Sequence, residues 1–407
     1  MRVAVIGGGA AGLACACCLS KSKKINVTVF EKNDRVGKKL LSTGNGRCNL
    51  TNLSASPRDY FEAADFVSFA LKKYSPKSNI AFFESLGLFS KADSEGRVYP
   101  LSNQAAGVLD ALRFECERLG VRFACSCEVK RVQKKGGVFL IDNAERFDRV
   151  VFSCGSKSAV KNFGSYELLS SFGHTVTKTA PALVRLVTDE KMTNQLKGIR
   201  ACVSMALRCG GKRVACSFGE LQFAESSLSG IVSMELSSFV SRLSLGGKKD
   251  FSVDVDFVPT FSFDELLGAL TDLSKRDLLK SENLLSGFMP KKVGICLLKR
   301  AGVSPETAMS SLSQKQLREI AAICKKCSFK ITGVGSFSQS QVTVGGIKRE
   351  EFNPKTLESK KCRGLYCCGE MLDVDGRCGG YNLQWAFSSA RFCAESILRE
   401  NKNDQNK

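Results

Sequence analysis

The N-terminal stretch ending at Glu31 constrains the fold more than any other part of the chain. Arg2-Val3-Ala4-Val5-Ile6 is a short apolar run suited to a buried parallel strand. Gly7-x-Gly9-x-x-Gly12 follows it and opens a helix rich in small residues. A second apolar run, 25–30, ends at Glu31. In such a unit Gly7 permits a tight turn, Gly9 lets the backbone approach a pyrophosphate, and Gly12 allows close helix–strand packing. The helix start, at Ala10 and Ala11, turns free N–H groups and a positive dipole toward the phosphates. Glu31 lies 19 residues beyond Gly12, where a carboxylate accepts hydrogen bonds from an adenosine ribose. The unit reads as a dinucleotide-binding βαβ motif.

The loop after Glu31 selects between dinucleotides. Residues 37–52 are dense in glycine and amide side chains, and a loop of this length is unusual directly after a ribose-binding strand. It is read as passing beneath a pyrophosphate and along a ribityl chain, which favours FAD over NAD. Residues 364–386 read as a strand, a glycine–acid turn, a glycine-rich loop and a helix start. That turn suits a carboxylate on ribityl hydroxyls, and the helix start beyond Gly379-Gly380 suits the pyrimidine oxygen of a flavin. The residues expected against the cofactor are Gly7, Gly9, Ala10, Ala11, Gly12, Glu31, Lys32, Lys39, Thr43, Gly44, Asn45, Arg47, Cys48, Asn49, Val129, Gly155, Gly369, Glu370, Asp373, Gly379, Gly380, Tyr381 and Asn382.

Between these ends, helical spacing is expected over 78–86 and 105–119, and two strands over 121–139 around the Lys134-Lys135-Gly136-Gly137 turn. Residues 149–155 read as another buried strand running into Gly155. From 183 to about 258 short alternating stretches suit a β-rich part, and 261–330 reads as several helices. The expected divisions are 1–182 and 331–407 for the nucleotide-binding part, with 183–260 and 261–330 as inserts. Residues 275–330 hold twelve basic residues against four acidic ones, a net +8, within a chain whose formal charge is +20. Such an excess favours anionic partners, a solvated basic surface being the alternative.

The remaining composition narrows the chemistry. There is no apolar run of the ~18 residues that a membrane-spanning helix needs. The N-terminal glycines fit a nucleotide-binding turn better than an export signal, so a cytoplasmic enzyme is expected. Nineteen scattered cysteines then read as reduced thiols. Cys324-Lys325-Lys326-Cys327, without a second pair or a nearby histidine, makes a poor metal site, and none is expected. His174 is the single histidine, and a structural role is expected for it.

These motifs also carry a resemblance. Residues 37–52, Gly96-Arg97-Val98-Tyr99-Pro100, Pro181-Ala182-Leu183-Val184, Val342-Thr343-Val344-Gly345-Gly346-Ile347 and 369–387 resemble the bacterial YhiN/BaiN-like FAD-dependent oxidoreductases, across essentially the whole chain. The resemblance implies an α/β fold: a discontinuous Rossmann-like FAD-binding domain with inserted β-barrel-like and helical domains. It also implies FAD as the cofactor, NADH or NADPH as a transient reductant, and reduction of an activated C=C bond among the activities. The chain departs from the family pattern at Ser153-Cys154-Gly155-Ser156, at Ala224-Glu225 and at Gly230-Ile231. The last two changes fall in the inserted region and leave the substrate open.

Three readings follow. The first is a flavin reductase of a conjugated C=C in a small molecule or a nucleobase. The second is an oxidase or dehydrogenase of a small amine. The third is a non-catalytic flavoprotein that binds RNA through residues 275–330. For a reductase the proton donor is expected to be Cys48, Tyr381, a lysine or water. Arg47 beside Cys48 is expected to lower its thiol pKa.

Overall fold

A computed structural model describes residues 1–159, 163–276 and 278–405. The chain divides into two compact units, Met1–Ala180 with Gln341–Lys407, and Pro181–Ser340.

The first unit is built on a five-stranded sheet that is parallel throughout. Its strands are Arg2–Ile6 (β1), Asn26–Phe30 (β2), Arg122–Ala124 (β3), Arg149–Phe152 (β4) and Leu365–Cys367. They lie in the order Leu365–Cys367, β4, β1, β2, β3, so the C-terminal part of the chain completes the N-terminal sheet. Val3, Ala4 and Val5 of the central strand are fully buried, as expected of a parallel strand covered on both faces. Helix α1 (Ala10–Leu19) packs against both the C-terminal helix Tyr381–Gln405 and helix Ala105–Arg118. Its small side chains, Ala11 to Cys17, are therefore buried on every side. Residues 121–139 contribute three strands rather than two. Strand β3 joins the parallel sheet, and Val132–Lys135 and Val138–Ile141 form the hairpin at Gly136-Gly137. A half-buried strand as short as β3 carries no readable alternation.

The second unit holds a seven-stranded antiparallel sheet. Its longest strands, Arg200–Cys209 (β5) and Lys212–Ala224 (β6), pair with each other, and Phe251–Asp256 (β7) flanks β5. Cys327–Ile331 (β8) is the edge strand beside β7. Helices Phe263–Ser274, Lys291–Arg300 and Gln314–Lys325 share one hydrophobic cluster with this sheet, Leu266, Leu297 and Leu317 lying with Val203, Val253 and Phe329. The composition shift near residue 260 thus marks a change of secondary structure within one core. Helix Ile231–Leu245 lies inside the stretch that reads as β-rich. Val232, Leu236 and Val240 recur every fourth residue, but the buried serines at 233, 237, 238 and 241 dilute that apolar period. No helix among the described residues is long and apolar enough to cross a membrane.

His174 is buried in the first unit, its ring stacked on Phe352 with centroids 4.5 Å apart. Its Nδ1 lies 3.0 Å from Glu351 and its Nε2 2.8 Å from Ser359. Burial holds the imidazole below its ordinary 6.5, outweighing the opposing pull of Glu351. Burial also works against the charged form of Glu351. Lys361, the N–H and hydroxyl of Thr175, and His174 overcome it and bring that carboxyl down to about 2. Both folded values lie below the unfolded ones, so both groups withdraw stability as pH falls. The urea midpoint is expected to drop first as pH falls through 6.5 and again from 4.5 toward 2. His174→Gln is expected to remove the upper step and leave the lower one. An unchanged upper step would contradict the assignment to His174.

Candidate functional site

The Gly7–Gly12 turn is sealed on the sheet side and open on the other. A Cβ on Gly12 would lie 1.9 Å from the Gly7 carbonyl oxygen and 2.7 Å from Ser153 Oγ. On Gly7 it would lie 2.7 Å from Cys154 Cα. A Cβ on Gly9 would meet nothing within 4 Å, and the same holds at Gly155 in the loop after β4. Gly9 caps α1, so the first-turn N–H groups that include Ala10 and Ala11 face that open side. The packed and open positions together match a helix start that cradles a pyrophosphate.

Glu31 is buried at the end of β2. Its Oε2 accepts the Gly8 N–H at 2.9 Å, and its Oε1 accepts the Asn33 N–H at 2.9 Å together with the Asn33 side-chain amide. Oε2 keeps acceptor capacity for a ribose hydroxyl. Glu31→Ala is expected to weaken FAD binding by roughly 1.5–3 kcal/mol, and Glu31→Gln by less because it keeps an acceptor oxygen. Equal affinities in wild type and both variants, measured by FAD titration of the apoprotein, would contradict a ribose role. Lys32 is exposed next to Glu31, and Val129 packs in the core of the same unit.

The loop from 37 to 52 meets the start of the C-terminal helix. Thr43–Gly46 is a single tight turn with Gly44 and Asn45 in the left-handed region. Arg47 follows, exposed, its guanidinium 4.6 Å from the centre of the Tyr99 ring. Gly380 has φ +103, and a Cβ there would fall 2.5 Å from the Thr51 carbonyl and 2.8 Å from Asn49 Oδ1. Asn49 Oδ1 is a buried acceptor with no hydrogen-bond partner among the described residues. Such an atom calls for a donor, and a flavin ring N–H or a ribityl hydroxyl would supply one. Tyr381, next along, is 8% exposed. Its hydroxyl lies 3.3 Å from Ser54 Oγ, and its carbonyl accepts the Tyr60 hydroxyl at 2.8 Å.

A polar network ties the remaining candidates together. Lys39 Nζ donates to Glu370 Oε2 at 2.7 Å and to Ser158 Oγ at 2.6 Å. Glu370 Oε1 also accepts from Ser158 Oγ and from the Thr343 N–H, each at 3.1 Å. Thr343 and Ser156 hydroxyls bond at 3.0 Å, and the Ser158 N–H donates to Thr343 at 3.1 Å. Ser156, Ser158 and Thr343 are not among the residues the sequence points to. Thr343 does sit in the Val342–Ile347 motif and Ser156 in the departure from the family pattern at 153–156, whereas nothing in the sequence distinguishes Ser158.

One expectation changes once the geometry is known. Cys48 is fully buried with φ +58, and burial pushes its thiol up to about 12. Arg47 turns to Tyr99, so its charge does not offset that burial. Cys48 is therefore no proton donor with a lowered pKa. Asn382 uses its amide to hold the loop before it, bonding Gly376 N–H and O and the Arg377 carbonyl. Asp373 accepts the Thr177 hydroxyl at 3.1 Å, and Glu370, beside Gly369, is the carboxylate of the Lys39 network. Cys324 and Cys327 are both buried, their thiols pushed up to about 12 and about 11 by burial.

The HI0933-like Rossmann domain model matches residues 1–396. The chain belongs to the HI0933-like family. It is 36% identical over 399 residues to the 3-dehydro-bile acid delta(4,6)-reductase of Clostridium scindens, covering 95% of this chain and 97% of that protein. It is 29% identical over 416 residues to the ribosomal RNA dihydrouridine synthase of Haemophilus influenzae, covering 97% and 98%. Among solved structures, the 3-ketosteroid delta1-dehydrogenase of Sterolibacterium denitrificans aligns with a TM-score of 0.52 at 12% identity, covering 98% of this chain and 99% of that one, a likeness of fold. Like its family, this chain is an FAD-dependent oxidoreductase.

Proposed function

We propose that this HI0933-like protein is a cytoplasmic reductase of C=C bonds conjugated to a carbonyl, recharged by NADH or NADPH. The full-length kinship with two reductive relatives carries this reading, because the names of both describe hydrogen added across a ring C=C bond. Bound FAD supplies the hydride carrier. The open side of the Gly7–Gly12 turn, Glu31 and the Lys39–Glu370 network would hold and orient it. Asn49 Oδ1 would take a hydrogen bond at its buried edge.

The substrate carbon alpha to the carbonyl needs a proton. Tyr381 is the candidate donor, since its hydroxyl stands at the helix start beside Gly379-Gly380 and Ser54 steadies it at 3.3 Å. Tyr381→Phe is expected to slow acceptor reduction about 100-fold while leaving cofactor reduction unchanged. Equal acceptor rates would remove Tyr381 from the proton path. The reading itself is tested by reducing the holoprotein anaerobically with NADH and with NADPH and then offering a steroid enone, a uridine and air in turn. Consumption of an enone or uridine supports it. Turnover of amines with air as the only acceptor would replace it with an oxidase.

A further inference from the structure

The seven-stranded sheet of the second unit continues past β6 into the short strands Ser227–Ser229, Leu186–Val187 and Gly333–Val334. Phe223, Leu228 and Leu186 are fully buried in its core, so the residues next to them face outward. Gln222 pairs with Ser229, and Leu186 pairs with Leu228, which sets Arg185 opposite Ser229 on the outer face. The Gly335 N–H donates to the Arg185 carbonyl at 3.0 Å and continues the pairing on the other side. Arg185, Ser229 and Gln222 thus form one row. In the next row Gly333, Val187, Ser227 and Ala224 leave a low floor of small side chains.

Arg185 stands out in that setting. Its half-buried guanidinium makes no hydrogen bond, ion pair or ring contact among the described residues. Its Nε is buried without a partner, while the terminal nitrogens remain open. Gly335 gives the stem its room, since a Cβ there would lie 3.2 Å from Arg185 Cγ and 2.9 Å from Gln339 Oε1. The carboxylates along this part of the sheet are committed elsewhere. Glu225 feels Arg185 only weakly and bonds Lys197 at 2.8 Å, and Glu220 bonds Arg200 at 3.0 Å. The Ser229 hydroxyl and the Gln222 amide likewise have no partner among the described residues. A partly desolvated cation without a counter-charge costs the fold stability unless a ligand supplies that charge.

We propose that Arg185, with the Ser229 hydroxyl and the Gln222 amide, binds the carboxylate of a small organic acid whose body lies over the Val187–Ala224 floor. The terminal edge of the guanidinium has the planar geometry that meets two carboxylate oxygens at once. One uncommitted charge in the row suits a monoanion better than a phosphate dianion. Ala224-Glu225 and Gly230-Ile231, where the chain departs from the family pattern, flank Gln222 and Ser229, so the row lies where this chain differs from its relatives. The site stands apart from the reductase reading, and its test needs no turnover.

Titration calorimetry of the holoprotein with benzoate, benzamide and inorganic phosphate tests it. Benzoate is expected to bind and benzamide to give no heat. Arg185→Gln is expected to weaken benzoate binding roughly tenfold or more, and Arg185→Lys to weaken it less, because it keeps the charge without the planar fork. Both variants are expected to keep wild-type FAD content, since Arg185 lies outside the FAD-binding unit. Without ligand, Arg185→Met is expected to melt about 1–3 °C above wild type, because an uncompensated cation is gone. No benzoate binding by wild type, or equal affinity in Arg185→Gln, overturns the site. Phosphate bound more tightly than benzoate, and lost in Arg185→Gln, assigns a phosphate ligand and overturns the carboxylate. A melting temperature several degrees lower in Arg185→Met shows an arginine that holds the fold together and overturns the proposal as well.

Discussion

Gly9→Val is expected to give a folded, colourless protein, and Gly12→Ala a protein that does not fold. The two glycines belong to one motif but meet opposite surroundings. A Cβ at Gly9 enters open space, so the apoprotein tolerates the side chain. That space is where the pyrophosphate must approach the backbone, and a valine there holds it off. A roughly 100-fold loss of FAD affinity, about 2.8 kcal/mol, is the expected size. At Gly12 the added Cβ would sit 1.9 Å from the Gly7 carbonyl oxygen, between α1 and β1. Neither backbone can yield there, so the cost is expected to exceed about 3 kcal/mol. FAD titration and urea unfolding separate the two effects. A Gly9→Val protein that retains FAD would remove the phosphate role of this turn.

Glu370→Ala is expected to be the most damaging change outside the glycine motif. Its carboxylate is the common acceptor for Lys39, Ser158 and the Thr343 N–H, groups drawn from three separate stretches of chain. Without it the Lys39 ammonium loses its counter-charge and the Thr343 N–H its acceptor, while Ser158 Oγ turns to the Gln341 carbonyl. With Lys39 partly open to solvent, a loss of about 1–2 kcal/mol in stability is expected, with weakened FAD retention. Glu370→Gln keeps one acceptor oxygen and is expected to lose less than half as much. Lys39→Met combined with Glu370→Ala is expected to recover part of the loss, since the unpaired charge is gone. Wild-type stability in Glu370→Ala would show that the network is incidental.

How far the site was legible depends on the range of the interactions involved. The βαβ unit announces itself locally, because strand period, glycine spacing and the terminal acid all lie within one continuous stretch. The pairing of Leu365–Cys367 with β4 joins residues more than half the chain apart. The 364–386 segment shows its own strand, turn and helix punctuation, but nothing local names its partner strand. Ser156 and Ser158 bond to Thr343, Lys39 and Glu370 across separate stretches of chain, and no local pattern marks Ser158 for that network. Cys48 misled for a similar reason. Its neighbour Arg47 is adjacent in sequence, but a left-handed backbone at Cys48 turns the thiol into the core while Arg47 lies over Tyr99. Charge was legible as a total and not as a pattern. Net +8 over 275–330 does not reveal that half of its cations already hold a carboxylate.

Reduction of a conjugated C=C bond is tested by an anaerobic single turnover, independently of the natural reductant. The holoprotein is reduced with dithionite, freed of excess, and mixed with a steroid enone or a uridine-containing RNA while the flavin absorption is followed. The oxidised flavin band is expected to return in step with a product that mass spectrometry finds heavier by a pair of hydrogens. A flavin that stays reduced against every enone and uridine, yet reoxidises at once in air, would contradict it.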